Sequence, residues 1–198
     1  MCGEPAISLL ISPCYVAAMA FAVTLLFDSD VATSIAARWE LLAAAGVSRS
    51  MLDLGYSPHV TLAVHDGPID AGAAAALDRV FAQAGRMAMT LTGVTTFGPG
   101  SGVCYAALAS SPDLMCLHAR TVSAMGSGCH PHYRTGHWTP HCTLATDMSD
   151  LDMGRANAVL DKDWRPLQGF FVRAELVEFV PVIRMKSWAL APRSTRTP

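Results

Sequence analysis

Two short stretches of this chain have the composition of an acid–base site. Ser57-Pro58-His59-Val60-Thr61-Leu62-Ala63 is echoed by Thr139-Pro140-His141-Cys142-Thr143-Leu144-Ala145, and both contain Pro-His-x-Thr-Leu-Ala. An unperturbed imidazole titrates near pH ~6.5, so two of them can divide general-base and general-acid work at neutral pH. One takes a proton from an attacking water and the other gives a proton to the departing oxygen. The threonine hydroxyls can donate to phosphoryl oxygens as negative charge builds on them. With a good leaving group, such as the oxygen of a strained cyclic phosphate, this chemistry needs no metal. A single histidine on a strand is usually structural. Two copies of a six-residue pattern in one short chain favour catalysis over coincidence.

The Gly126–Thr139 loop ahead of the second copy adds secondary candidates. Arg134 could pair with a terminal phosphate, and Tyr133 and Trp138 could stack on a base. Local packing accounts for these residues equally well. Phe97 divides in the same way between base stacking and core. Cys129, His130, His132, His137 and His141 offer ligand-type atoms, but their spacing matches no established zinc pattern. Using His141 as a ligand would also withdraw it from acid–base work, so the site is read without metal or other cofactor. His65, His118 and Tyr105 are expected to be scaffold, His118 as a partly exposed helix residue.

The elements needed to position these residues follow from periodicity. Each motif reads as a short strand opened by a proline that lacks a backbone donor. Alternation then places His59 with Thr61, and His141 with Thr143, on one polar face, while Val60, Leu62, Cys142 and Leu144 point into a core. Around them the pattern predicts a buried strand at Ala20–Phe27, a helix capped in Asp28-Ser29-Asp30 and running to Ala45, and an extended Met51–Tyr56. Pro68 and Asp70 open a second helix that Gly85 ends. Strands follow at Met87–Thr95 and Val103–Ala109, then a helix from Ser111-Pro112-Asp113 to Met125. A capping box at Ser149–Asp152 starts another, ending near Trp164. Strands at Phe170–Val180 and Val182–Leu190 close the chain. The expected fold class is α+β, bilobed and internally pseudo-symmetric, with the two motif faces meeting at a single cleft. No Pro-, Gly- or Ser-rich linker divides it.

Composition sets the outer limits. In 198 residues, 52% are hydrophobic and 15% charged, as expected of a chain that folds around a large core. A net charge of -2 provides no broad basic surface, which argues against long duplex nucleic acid and leaves a small nucleotide or an oligonucleotide end as partner. The six cysteines contain no Cys-x-x-Cys pair and read as the reduced thiols of a cytoplasmic protein. The apolar run Ala6–Phe27 is not preceded by Lys or Arg as a signal peptide would be, and Ser8, Ser12, Pro13 and Cys14 interrupt it as a membrane span. Residues 1–18 are therefore expected to be an extension, with Met19 a possible biological start, 19–190 one bilobed domain and 191–198 a tail. A monomer away from membranes is expected.

At His59-Val60-Thr61-Leu62 and His141-Cys142-Thr143-Leu144 the chain resembles the 2H phosphoesterase superfamily. Within it, the resemblance is to the bacterial RNA 2',3'-cyclic phosphodiesterases, also called 2'-5' RNA ligases. It extends from about Met19 to Leu190 and includes the Thr96-Phe97-Gly98-Pro99 turn. The resemblance implies a bilobed α+β fold, with a duplicated sheet-and-helix unit and a central cleft, and metal-independent opening of 2',3'-cyclic phosphates on nucleotides or RNA ends. It also implies that His59 and His141 split the acid and base roles while Thr61 and Thr143 bind phosphate. Two alternatives stay open on the same fold: a non-catalytic nucleotide-binding protein, and a 2'-5' RNA ligase or oligonucleotide phosphodiesterase.

Overall fold

The four longer helices start where a side chain satisfies a free amide, and these starts set the frame for the sheet. In the computed structural model, which describes residues 20–192, Asp28 accepts from the Val31 amide and Asp70 from the Ala73 amide. Ser111 and Ser149 accept from Leu114 and Asp152 in the same way. Caps of this kind are worth about 1 kcal/mol each. They open α1 (Ser29–Ala44), α3 (Ala71–Ala82), α4 (Pro112–Met125) and α5 (Asp150–Leu160), all close to the expected boundaries. The expectations for residues 1–18, for Met19 and for residues 193–198 lie outside the described residues.

One expected extended stretch is helical at its start. Residues Ser50–Asp53 form a single turn, α2, because Met51 is buried and Arg49 pairs with Asp53 at 3.2 Å across that turn. Local polar bonds and one buried anchor outweigh the extended tendency read from sequence.

The strands are β1 (Ala20–Phe27), β2 (His59–Asp66), β3 (Met87–Thr96), β4 (Cys104–Leu108), β5 (His141–Ala145), β6 (Leu167–Phe179) and β7 (Ile183–Ala189). They form one open antiparallel sheet in the order β2-β1-β6-β3-β4-β5, with β7 added to β6. The duplication is visible in the topology. β1-α1-β2-α3 and β4-α4-β5-α5 are two copies of one strand–helix–strand–helix unit, and in each the two strands pair antiparallel. Between them, β6 and β3 pair through residues 167–171 and 87–91. β6 continues beyond that junction to Phe179 along β1, so a single strand belongs to both halves. Its first residues are held tightly: Asp28 Oδ2 accepts from the Phe170 amide at 2.6 Å. A Cβ on Gly169 would run into Val31 and Asp28, so no larger residue fits at that position without a shift.

The two halves exchange helical cover. α4, which joins β4 to β5, packs on β2 and α3 of the other half. α1, which joins β1 to β2, packs against β5 and α5. The core lies between sheet and helices and includes Ile35, Leu42, Val60, Leu62, Leu77, Cys142 and Leu144, all fully or almost fully buried. Each such aliphatic side chain contributes roughly 1.5–3 kcal/mol of burial. This exchange explains why two sequence repeats form one α+β body around a cleft.

Candidate active site

The outermost strands of the open sheet, β2 and β5, carry the two motifs, and they come within 8 Å of each other between Cα atoms. Burial alternates identically along both for five residues: His and Thr are half-buried, while Val60 and Leu62, like Cys142 and Leu144, are core. That is the pleat expected from sequence.

Backbone carbonyls orient both imidazoles. His59 Nδ1 donates to the Ser57 carbonyl at 2.8 Å, and His141 Nδ1 donates to the Thr139 carbonyl at 2.7 Å. A carbonyl only accepts, so each neutral ring carries its proton on Nδ1 and leaves Nε2 as the free acceptor. Both rings are held below the ordinary imidazole range, first by burial. For His59 the Ser57 carbonyl opposes that fall, while the neighbouring His141 adds to it. The two imidazoles are therefore electrostatic neighbours, and each favours its neutral form.

Two indoles fix the strands carrying these rings. Trp138 Nε1 donates to the Thr61 carbonyl at 3.0 Å, and Trp39 Nε1 donates to the Thr143 carbonyl at 3.2 Å. Each outer strand thus gains a donor for a motif carbonyl from the opposite half of the duplication. Trp138 is consequently not a base-stacking surface. It is 7% exposed, and its ring lies flat on His118 at 4.1 Å. His118 is not partly exposed either; it is fully buried, with Nε2 bonded to the Tyr133 carbonyl at 2.9 Å.

The remaining candidates separate. Phe97 stacks on Tyr105 at 4.2 Å, meets the His141 ring edge-on at 5.0 Å, and keeps 46% of its surface exposed. Tyr105, expected to be scaffold, also touches the His141 ring at 5.2 Å. Tyr133 lies beside the Thr61 hydroxyl, and burial pushes its phenol up to about 12, so it stays a neutral donor. Arg134 is exposed and turns Nε toward the Cys129 carbonyl at 3.4 Å, away from the motif residues. Cys129 is buried and bridged to His65 on β2, and among the described residues no three His, Cys, Asp or Glu side chains converge as metal ligands would.

Behind His59 lies a polar group of side chains that sequence reading missed. Tyr56 packs on the His59 ring at 4.9 Å and donates to Glu175 at 2.9 Å, so Thr24 must donate to the Tyr56 oxygen at 2.8 Å. Burial raises the Tyr56 phenol and keeps it protonated. Glu175, only 2% exposed, is answered by Arg184 at 3.5 Å and Arg173 at 3.7 Å. A cavity of about 630 Å³ opens in front, with His59, Thr61, Thr143, Tyr56 and Tyr133 in its wall. His141 stands two residues from Thr143 on the same strand face. That volume lies in the range of small-molecule sites.

A bilobed α+β body whose open antiparallel sheet carries a His-x-Thr pair on each of two outermost strands, packed within 8 Å between Cα atoms, has a 2H phosphoesterase architecture. The chain belongs to the 2'-5' RNA ligase superfamily, whose sequence model matches residues 30–179. Among solved structures it is similar to E. coli LigT complexed with 3'-AMP, at 19% identity and a TM-score of 0.59, over 87% of this chain and 98% of that one. It is also similar to the TT0787 protein of Thermus thermophilus, at 14% identity and a TM-score of 0.57, over 88% and 100%. These likenesses establish the fold. No curated protein matches the chain. Among the described residues, no helix is long and apolar enough to cross a membrane.

Proposed function

We propose that the protein is a metal-independent phosphodiesterase that opens 2',3'-cyclic phosphates of nucleotides or RNA ends, with His59, His141, Thr61 and Thr143 as its catalytic residues. The observation that carries this reading is the matched anchoring of the two imidazoles, each with Nδ1 committed to a carbonyl and Nε2 left free.

In the proposed reaction, the Nε2 of one neutral imidazole takes a proton from water as the water oxygen bonds to phosphorus. One ribose P–O bond breaks, and the other imidazole, entering as imidazolium, gives its Nε2 proton to the departing oxygen. The product is a phosphomonoester with one free ribose hydroxyl, and the two histidines end with their protonation states exchanged. Thr61 and Thr143 donate to the non-bridging oxygens, where stabilisation of developing charge lowers the barrier. Phe97, exposed beside His141, supplies a face for the base.

Incubation with adenosine 2',3'-cyclic phosphate in EDTA, followed by product separation, tests the reading. Conversion to a single phosphomonoester is expected. Tight nucleotide binding without turnover across a panel of cyclic nucleotides would instead identify a binding protein.

A further inference from the structure

The cavity in front of His59 is almost without charge. Thr61, Thr143 and Tyr133 offer it neutral hydroxyls, and Val177, Phe179 and Val182 from the β6–β7 hairpin form an apolar wall. Among the described residues lining it there is no Lys or Arg, and the one carboxylate is Asp147. The arginines of the neighbouring elements have partners of their own. Arg173 and Arg184 face the buried Glu175, Arg49 pairs with Asp53 at 3.2 Å, and Arg134 turns to the Cys129 carbonyl.

Asp147 is exposed at the edge of this cavity. It follows β5 in a left-handed conformation, φ 57°, and accepts from the Thr146 hydroxyl at 3.0 Å. The next residue, Met148, donates its amide to the Gly102 carbonyl at 3.1 Å. Gly102 itself has φ +65°, and a Cβ there would lie 3.2 Å from the Met148 carbonyl. Two loops thus close into one wall that carries a carboxylate.

Neutral donors and an imidazolium can hold one negative charge. A second phosphate would find no Lys or Arg in the lining and would face the exposed carboxylate of Asp147, where like charges repel. The geometry points to a cleft selective for a monoanionic phosphodiester with an uncharged remainder: a nucleoside 2',3'-cyclic phosphate with a free 5'-hydroxyl, disfavouring forms that carry 5'-phosphates. Asp147 is the specificity-determining residue. This inference rests on the phosphodiesterase reading of the same site and narrows its substrates to single nucleosides, since an RNA end carries a charged 5'-phosphodiester. It also accounts for product departure, because a phosphomonoester gains a second charge above pH ~6.

The test compares kcat/KM for adenosine 2',3'-cyclic phosphate with a 5'-hydroxyl against the same nucleotide with a 5'-phosphate. At least a tenfold preference for the 5'-hydroxyl form is expected, with little change in its kcat/KM from about 20 to 300 mM salt. Asp147→Asn, which tolerates the left-handed backbone, should narrow the preference, and Asp147→Lys should reverse it. Equal or faster turnover of the 5'-phosphorylated form, or a steep fall of rate with salt, overturns the inference. If neither nucleotide reacts, the phosphodiesterase reading fails and charge preference is read by calorimetry. Weaker binding of adenosine 2',5'-bisphosphate than of adenosine 2'-monophosphate keeps it; equal or tighter binding of the bisphosphate overturns it.

Discussion

The first and second motif strands are alike in backbone and unlike in what stands behind their histidines. Both rings lock Nδ1 onto the carbonyl two residues upstream, and both threonine carbonyls receive an indole N–H from the other half. Behind His59, however, lies the polar line Thr24–Tyr56–Glu175, whereas His141 is flanked by Phe97 and Tyr105. The duplication preserves ring placement and lets the electrostatics of the two rings diverge. In the proposed reaction the two histidines enter in different protonation states, and this divergence would favour one assignment of acid and base over the other.

The largest test of the shared part is removal of either ring. His59→Ala and His141→Ala should each lower kcat/KM by about 100- to 10,000-fold, the range of a general acid or base, with unchanged circular dichroism. If one variant keeps wild-type rates, the two strands are not equivalent. Thr61→Ala and Thr143→Ala should follow, at about 100-fold each if both hydroxyls meet the transition state. A large loss at only one of them would assign phosphate binding to a single half.

The divergent part is read through pH. Both imidazoles are depressed by burial, so the bell-shaped kcat/KM profile of the free enzyme should centre below the ordinary imidazole value of ~6.5. Glu175 favours protonated His59, whereas the His141 ring is governed by burial and the Thr139 carbonyl. Glu175→Gln should therefore shift one limb of the bell to lower pH and leave the other in place. Movement of both limbs together would erase the distinction between the halves.

Smaller effects are expected from the indoles. Trp39→Phe and Trp138→Phe keep a ring but delete the donor, and should each cost about 1 kcal/mol of stability in urea unfolding, with a reduced kcat. Smallest is the pH dependence of stability. Burial lowers the His118 imidazole, so the unfolded chain, with a value near ~6.5, binds the proton more readily. Stability should be level above that pH and decline below it. His118→Phe, which retains a ring against Trp138, should flatten part of the decline in the urea midpoint between pH 5 and 8.

What the chain's own order makes legible is local. The four helix caps and the alternation along both motif strands follow from neighbours within a few residues, and the structure has them. The outlying cases depend on contacts between distant positions. Trp138 reaches Thr61, and Tyr56 reaches Glu175, across long stretches of chain. Nothing in the surrounding residues signals which carbonyl an indole will find. His118 is different: Leu114, Leu117, His118, Thr121 and Met125 mark one buried stripe of α4, so helical spacing alone could have placed it in the core. A polar ring is uncommon on such a stripe, which hides the pattern. The α2 turn likewise depended on a single methionine finding a pocket.

The exchanged helices govern how the cleft can move. Since α1 braces the strand that bears His141 and α4 braces the strand that bears His59, neither half can swing outward without dragging the other's covering helix with it. The molecule is clasped rather than hinged. The two motif strands are thereby held against each other by helices that each belong to the opposite half.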